Sequence, residues 1–396
     1  MRDLDLGIQK IIVISLYTVI VGLIVAFVVT AILVRKKVIL KYSNSGIKRF
    51  FGNSLLYYSL RRIGSAIITM FLAIIVTYFL LRFNYNPNNF CDGIFIKFPV
   101  AIRPQLCDQM LTAMGYTGST FEQLLRFIYN VIPFPKEISD FQSTDLNGNA
   151  AYVYWGIINF GNGYQTGKTT LTPLIQDMIG DYIGLSLVIG AIGFIISELL
   201  GYPFGVLLAK YKNKWFDKVG NACIILVFAI PSVVFYYLFK QAFDAMGFPM
   251  LYTSTNFASL IAPGLIMGLG SFWSIALWVR RYMVDEFGSD YVKFARSKGV
   301  PENKIMYKHV LRNAIIPLVR SFPASILYCL VGSFFIESIY SVPGIGYQLY
   351  DALTKNNFPA VQGFTIFSAF ISVIASVSGD ILTAVCDPRI SFTAND

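Results

Sequence analysis

The sequence predicts an all-α membrane protein with seven spans, on three observations. Hydrophobic residues make up 55% of the 396 and charged residues only 14%, against about 25% charged in soluble domains. A chain this apolar cannot hide its side chains in a soluble core of ordinary proportions. The mean hydropathy is +0.60, which excludes disorder for most of the chain, because disorder needs low hydrophobicity. Uncharged runs of about 18 or more residues recur along the sequence, each able to cross a hydrocarbon core about 30 Å thick.

The first run is 11–34. The apolar core of a signal peptide is only about 7–15 residues, so an uncleaved anchor is predicted. The next runs are 63–81, 182–209 (interrupted by Glu198), 219–239 and 257–279. A shorter one, 314–336, contains Arg320. The last, 358–379, continues past Asp380 to Cys386. At 1.5 Å per residue each is long enough to span, with variable tilt.

Lys and Arg set the sides. Residues 35–62 hold Arg35, Lys36, Lys37, Lys41, Lys48, Arg49, Arg61 and Arg62 with no acid. The loop 210–218 holds Lys210, Lys212, Lys214 and Lys218, and 280–312 holds eight more basic residues. All three fall on one face if all seven helices cross, and the positive-inside rule makes that face cytoplasmic. The N-terminus is then outside and the C-terminus inside. The net charge of +10 therefore reports orientation and lipid contact; no nucleic-acid partner is predicted.

The largest outer part is 84–181, too long for a plain loop and expected to form a small cap. Pro87, Pro99, Pro104, Pro133 and Pro135 break it up. Cys91 and Cys107 both lie in it, and either an external disulfide between them or two unpaired thiols fits the sequence. Cys223, Cys329 and Cys386 sit in spans as packing residues. The stretch Gly161 to Thr169 has the look of a phosphate loop, but Asn162 stands where the motif needs glycine; a turn-rich surface is expected. One histidine, His309, and five scattered cysteines give neither zinc nor haem spacing. No catalytic residue, metal site or bound cofactor is predicted, and the chain reads as one that moves a solute.

The informative cytoplasmic stretch is 280–317. A helix runs through Asp290, Tyr291, Ala295, Arg296 and Lys298 and is expected to stop at Gly299, the residue type that best adopts the left-handed conformation past a helix end. Pro301 is placed to open a second short helix, with Glu302 in its first turn, running towards His309 and Arg312. Val300, Ile305 and Val310 offer apolar contacts. Such a helix–glycine–helix knob suits a groove on another protein.

These residues, with Leu311-Arg312-Asn313-Ala314 and Pro317, resemble the EAA loop of ABC-importer permeases of the oligopeptide and dipeptide branch. Other motifs follow the family's order from about residue 55 to 392: Leu56-Tyr57-Tyr58 with Arg61-Arg62, Gly201-Tyr202-Pro203-Phe204-Gly205, Ile230-Pro231-Ser232, Glu337 with Pro343-Gly344-Ile345-Gly346, Phe358-Pro359-Ala360, and Asp387-Pro388-Arg389. The long outer segment after the first matching span resembles the B-type subunit. The resemblance implies a six-helix type I permease core over 55–392, holding the outer segment 84–181 and a coupling loop over 283–313. Residues 1–54 are then an extra helix and a basic linker, which the resemblance gives no role. The enlarged outer segment, Glu198 and Arg320 also depart from the family pattern.

The resemblance further implies a transport subunit and not an enzyme, in a bacterial cell membrane. Its partners would be a second permease, two cytoplasmic ATPases that bind ATP and Mg, and an extracellular solute-binding protein. Asp290, Tyr291, Ala295, Arg296, Lys298, Gly299, Val300 and His309 would lie at or near the ATPase groove. Charges inside spans mark function by default; Glu198, Lys240, Glu337 and Asp380 are the candidates, and Glu337 with Pro343 and Gly344 is expected to brace an outer gate. Oligopeptides are the expected solute, with nickel, haem or a glutathione-like thiol as alternatives. A stand-alone carrier would need broken helices in repeated halves, and no internal repeat is evident. A membrane receptor, with 84–181 as its sensor, would leave the loop unexplained.

Overall fold

The computed structural model describes residues 48–83, 100–101, 103–113, 115–140, 152–162, 174–249 and 251–386. The predicted span 11–34, Cys91 and the motif Asp387-Pro388-Arg389 lie outside the described residues. Among the described residues, five helical stretches are long and apolar enough to cross a membrane, or six if one bent pair is a single span.

The chain divides into two compact units, Met1–Asp181 with Leu349–Phe370 and Ser391–Asp396, and Tyr182–Gln348 with Ile371–Ile390. Helix α1 (Lys48–Phe83) opens the first and carries the spanning stretch Arg61–Leu81. The segment that follows forms α2 (Arg103–Ala113), α3 (Thr120–Val131) and an antiparallel hairpin of β1 (Lys136–Asp140) and β2 (Tyr152–Gly156) that pairs Lys136 with Gly156 and Asp140 with Tyr152. Cys107 is disulfide-bonded. At the rejected phosphate loop, Gly161 has a left-handed φ of 82° and Asn162 bridges to Leu174; 163–173 lie outside the described residues.

Helix α4 (Ile175–Lys210) leads to α5 (Trp215–Ala229), α6 (Ser232–Ala245), a 3-10 turn (Phe257–Leu260) and α7 (Ile261–Phe287). The run 219–239 reads as one span, and the structure breaks it: α5 and α6 are bent by 106°. The cause is Pro231, whose ring disfavours helix at Ile230 and which donates no N–H; Ile230 is extended at ψ 126°. The run 314–336 is also segmented, into α11 (Ile316–Val319), α12 (Phe322–Val331) and α13 (Phe334–Tyr340). Gly332, at φ 73°, makes one of those breaks. The chain closes with α14 (Ile345–Thr354) and α15 (Phe358–Cys386).

In the second unit α7 is the hub, packing against α5, α6, α11 and α13. It also approaches α4 closely. A Cβ on Gly268 would lie 2.9 Å from the Gly193 carbonyl, and one on Gly205 2.7 Å from the Ala276 carbonyl. Small residues at such crossings let helix backbones touch, which is how spanning helices gain packing where lipid removes the hydrophobic drive.

Candidate functional site

The predicted knob is built by the C-terminal end of α7 and the short helices after it. Helix α8 (Asp290–Ser297) begins after Ser289 and ends at a left-handed Gly299, φ 74°. The Val300 N–H donates to the Ala295 carbonyl at 3.2 Å and the Gly299 N–H to the Arg296 carbonyl at 2.9 Å, the paired bonds of a Schellman motif. A short turn α9 (Glu302–Lys304) runs into a π-helical stretch, Ile305–Val310, and then α10 (Leu311–Ala314). The sequence foresees the stop and the restart but not the π turn, which shifts the register of apolar side chains by one residue. That shift accounts for the poor amphipathic pattern of the linear sequence: Ile305, Met306 and Val310 are all buried.

These residues join Val206, Ala209, Val279, Met283, Val292, Ala314 and Leu318 in one apolar cluster, with Tyr291, Ala295 and Val300 packed half-buried against it. Tyr291, Ala295 and Val300 therefore seat the knob on α4 and α7. Tyr291 donates to Glu286 at 2.5 Å and lies 3.5 Å from the His309 carbonyl; burial, reinforced by Glu286, pushes its phenol up, so it stays a donor. His309 is half-buried.

The outward face carries Asp290, Arg296, Lys298 and Gly299, all exposed. Arg296 holds Glu302 through both oxygens at 2.7 and 3.3 Å, clamping the two sides of the glycine turn and raising the guanidinium pKa. Lys293 pairs with Asp290 at 2.9 Å and holds that carboxyl below its ordinary range. Lys298 lies over the Phe294 ring at 4.3 Å. Two residues that sequence reasoning missed complete this face, Phe294 and Tyr307, 60% and 53% exposed. Only their exposure marks them, since an aromatic at helical spacing in a sequence reads as core.

The second predicted constellation also assembles. Glu337 is fully buried. Its carboxylate accepts the Ser333 N–H at 3.1 Å and the Tyr347 N–H at 3.0 Å, with further bonds from Gly346 and Ser186. It thus serves as the cap of α14, whose first N–H groups have no partner within their own helix. Ser186 also accepts the Ile345 N–H at 2.7 Å, tying α4 to the same turn. A Cβ on Gly344 would collide with Glu337 Oε2 and Ser186 Oγ, so no side chain fits there. Pro343 lies half-buried beside it.

The other intramembrane charges separate by role. Asp380 is buried and pairs with Arg320 at 2.9 Å, so the arginine that interrupts the fifth core span and the aspartate in the last are two halves of one contact. Lys240 donates to the Ile339 carbonyl at 2.6 Å, at the C-terminal end of α13. Glu198 in α4 keeps a buried Oε2 without a hydrogen-bond partner among the described residues. A further ion pair was not foreseen. Asp217, with a side chain only 3% exposed, takes both Nε and Nη2 of Arg280 at 2.5 and 2.7 Å, and Asn213 and Asn221 donate to it. It fixes the basic loop 210–218 to α7. The signal was one acid among Lys212, Lys214 and Lys218, legible only with Arg280 beside it. Among the described residues no cluster could hold a metal ion.

Residues 201–392 match the family model described as binding-protein-dependent transport system inner membrane component. The chain is similar to the oligopeptide transport system permease protein AmiC of Streptococcus pneumoniae, 32% identical over 52% of this chain; the match spans only 42% of that relative's length. It is 28% identical to the dipeptide transport system permease protein DppB of Lactococcus lactis subsp. cremoris, over 84% of this chain and 98% of that one. A putative peptide permease protein of Brucella suis biovar 1 is 30% identical over 59% of this chain and 76% of its own length.

Proposed function

Because the chain belongs to the family of binding-protein-dependent transport system inner membrane components, we propose that it forms half of the translocation path of an ATP-driven oligopeptide importer. The observation that carries this reading is the knob: a rigidly seated, outward-facing helix ending in a left-handed glycine, with exposed Phe294 and Tyr307 beside it. A lever must be clamped at its base and free at its tip, and Tyr291, Ala295 and Val300 clamp while Gly299 stays free, with open space around it. Peptides are favoured as solute because the relatives named above are oligopeptide, dipeptide and peptide permeases.

In this reading two cytoplasmic ATPases receive the knobs of this chain and of a second permease, and an external binding protein delivers the peptide. ATP and Mg are held by the ATPases. Closure of the ATPase pair moves the knobs and switches the helices between inward-open and outward-open states. Driving such a switch from 1:99 to 99:1 takes about 5.5 kcal/mol, which only a firmly packed knob can transmit. The membrane is the bacterial cell membrane, with the knob cytoplasmic, the cap and the N-terminus outside and the C-terminus inside. That orientation keeps the basic loops 210–218 and 280–312 on one side provided the bent pair α5–α6 crosses once. Glu198 is retained as a pathway residue and Glu337 as the brace of the outer turn.

The test is to purify the tagged chain in mild detergent and identify its companions by mass spectrometry. A second permease and two ATPases are expected, and the complex, reconstituted with its binding protein, should take up labelled peptide on ATP addition. A chain that purifies alone, and stays alone after cross-linking in cells, would overturn the reading.

A further inference from the structure

We infer that α3 is a membrane-surface helix, lying in the headgroup boundary of the leaflet on the cap's side. Helix α3 needs no lipid to form. Its start is a full capping box, Ser119 with Glu122, and its end is satisfied by Lys136, whose ammonium donates to the carbonyls of Tyr129, Asn130 and Ile132. One side is committed to protein through Gln123, Leu124 and Val131, all buried. Yet the helix keeps a second apolar stripe. Phe121, Leu125 and Tyr129 are 67%, 50% and 52% exposed. At about 100° per residue they fall within roughly 80° of arc, beside the exposed polar strip of Glu122 and Arg126.

The place where the helix is held decides which surroundings cover that stripe. Tyr78 of α1 packs on Phe127 at 5.7 Å and reaches Gln123 at 3.5 Å. It lies three residues before Leu81, the end of the spanning stretch, about 4.5 Å at 1.5 Å per residue. So α3 crosses α1 about one turn inside the end of its apolar run. Away from Ile74 and Tyr78, that end of α1 exposes Leu72, Val76, Phe79 and Leu80. The stripe on α3 thus lies at the level where the lipid-facing surface of α1 ends. An amphipathic helix with such a stripe rests its apolar side some 5–10 Å into the headgroup and acyl boundary, and an aromatic such as Tyr129 suits that depth. The inference requires that α1 cross the bilayer; it requires neither the peptide substrate nor the ATPases.

The test places single nitroxides on the full chain in nanodiscs of phosphatidylethanolamine and phosphatidylglycerol, at Leu125→Cys, Arg126→Cys and, as a lipid reference, Leu72→Cys. Cys223 and Cys386 are replaced by serine and the buried Cys329 is kept. Collision with oxygen should be more frequent at position 125 than at position 126 but rarer than at the deeper position 72, and collision with a water-soluble nickel chelate should be several-fold rarer at position 125 than at position 126. Equal water access at 125 and 126 would overturn the inference. So would shielding of 125 that appears only when the binding protein is added, which would make the stripe a protein dock. Water access at position 72 as well would overturn it too, by removing the span it requires.

Discussion

Replacing Gly299 separates the geometry of the knob from its surface chemistry. At φ 74° an L residue occupies the left-handed region, which costs about 1–2 kcal/mol. A Cβ there would meet nothing within 4 Å, so no packing cost adds to this conformational one. If the ATPase groove accepts the knob only with the turn intact, that cost appears in the docking constant, weakening it by about 5- to 30-fold. Asn tolerates the left-handed region and should lose least, Ala more, and Val, branched at Cβ, most. Asp shares the tolerance of Asn but adds a charge, so an Asp variant weaker than the Asn variant reports direct contact at the tip. The assay is ATPase binding to the permease pair in nanodiscs, with ATP-driven peptide uptake measured in parallel. Thermal stability should fall by no more than the local cost. A Gly299→Val variant with unchanged affinity and normal uptake would refute the reasoning, because the strained turn would then play no part in docking.

Asp217→Ala should lower thermal stability in detergent by about 3–5 kcal/mol, the usual loss when one partner of a buried pair is removed, towards the low end because the Arg280 side chain is 18% exposed; the double variant with Arg280→Met should recover part of it, and additive losses would argue against the pair. Gly344→Ala should cost about as much as an overpacked core, roughly 1–3 kcal/mol, since its methyl meets both the Glu337 carboxyl and the Ser186 hydroxyl; a wild-type melting curve for Gly344→Ala would refute this. Burial holds the Lys136 ammonium down to about 8 from 10.5. Between those values the unfolded chain carries more protons than the folded one, so the cap's stability should rise with pH across about 8 to 10.5. Resistance of 103–162 to proteolysis, followed over that range, checks it, and Lys136→Met should flatten the rise.

Much of this protein was legible as pattern. Apolar runs located the spans at 63–81, 182–209, 257–279 and 358–379 because lipid thickness sets a length that composition alone can satisfy. Gly299 and Pro301 announced a stop and a restart because their backbone limits are local and travel with the residue. Glu337 drew notice because a charge in an apolar run has to be explained. Partners were not legible. Arg320 and Asp380, Asp217 and Arg280, and Lys240 with the Ile339 carbonyl are each separated by 60 or more residues, so only the fold decides which charge neutralises which. The bend between α5 and α6 was half-visible in Pro231, but whether a proline kinks a span or breaks it at 106° depends on what packs around it. The π turn at Ile305–Val310 hid the apolar face of the knob, and only the folded chain showed that Phe294 and Tyr307 face out. The sequence determined which segments are apolar enough to span and where Gly299 must end a helix; the tertiary structure decided where the long runs break and which side chains meet, because meeting is a property of distance in space and not along the chain.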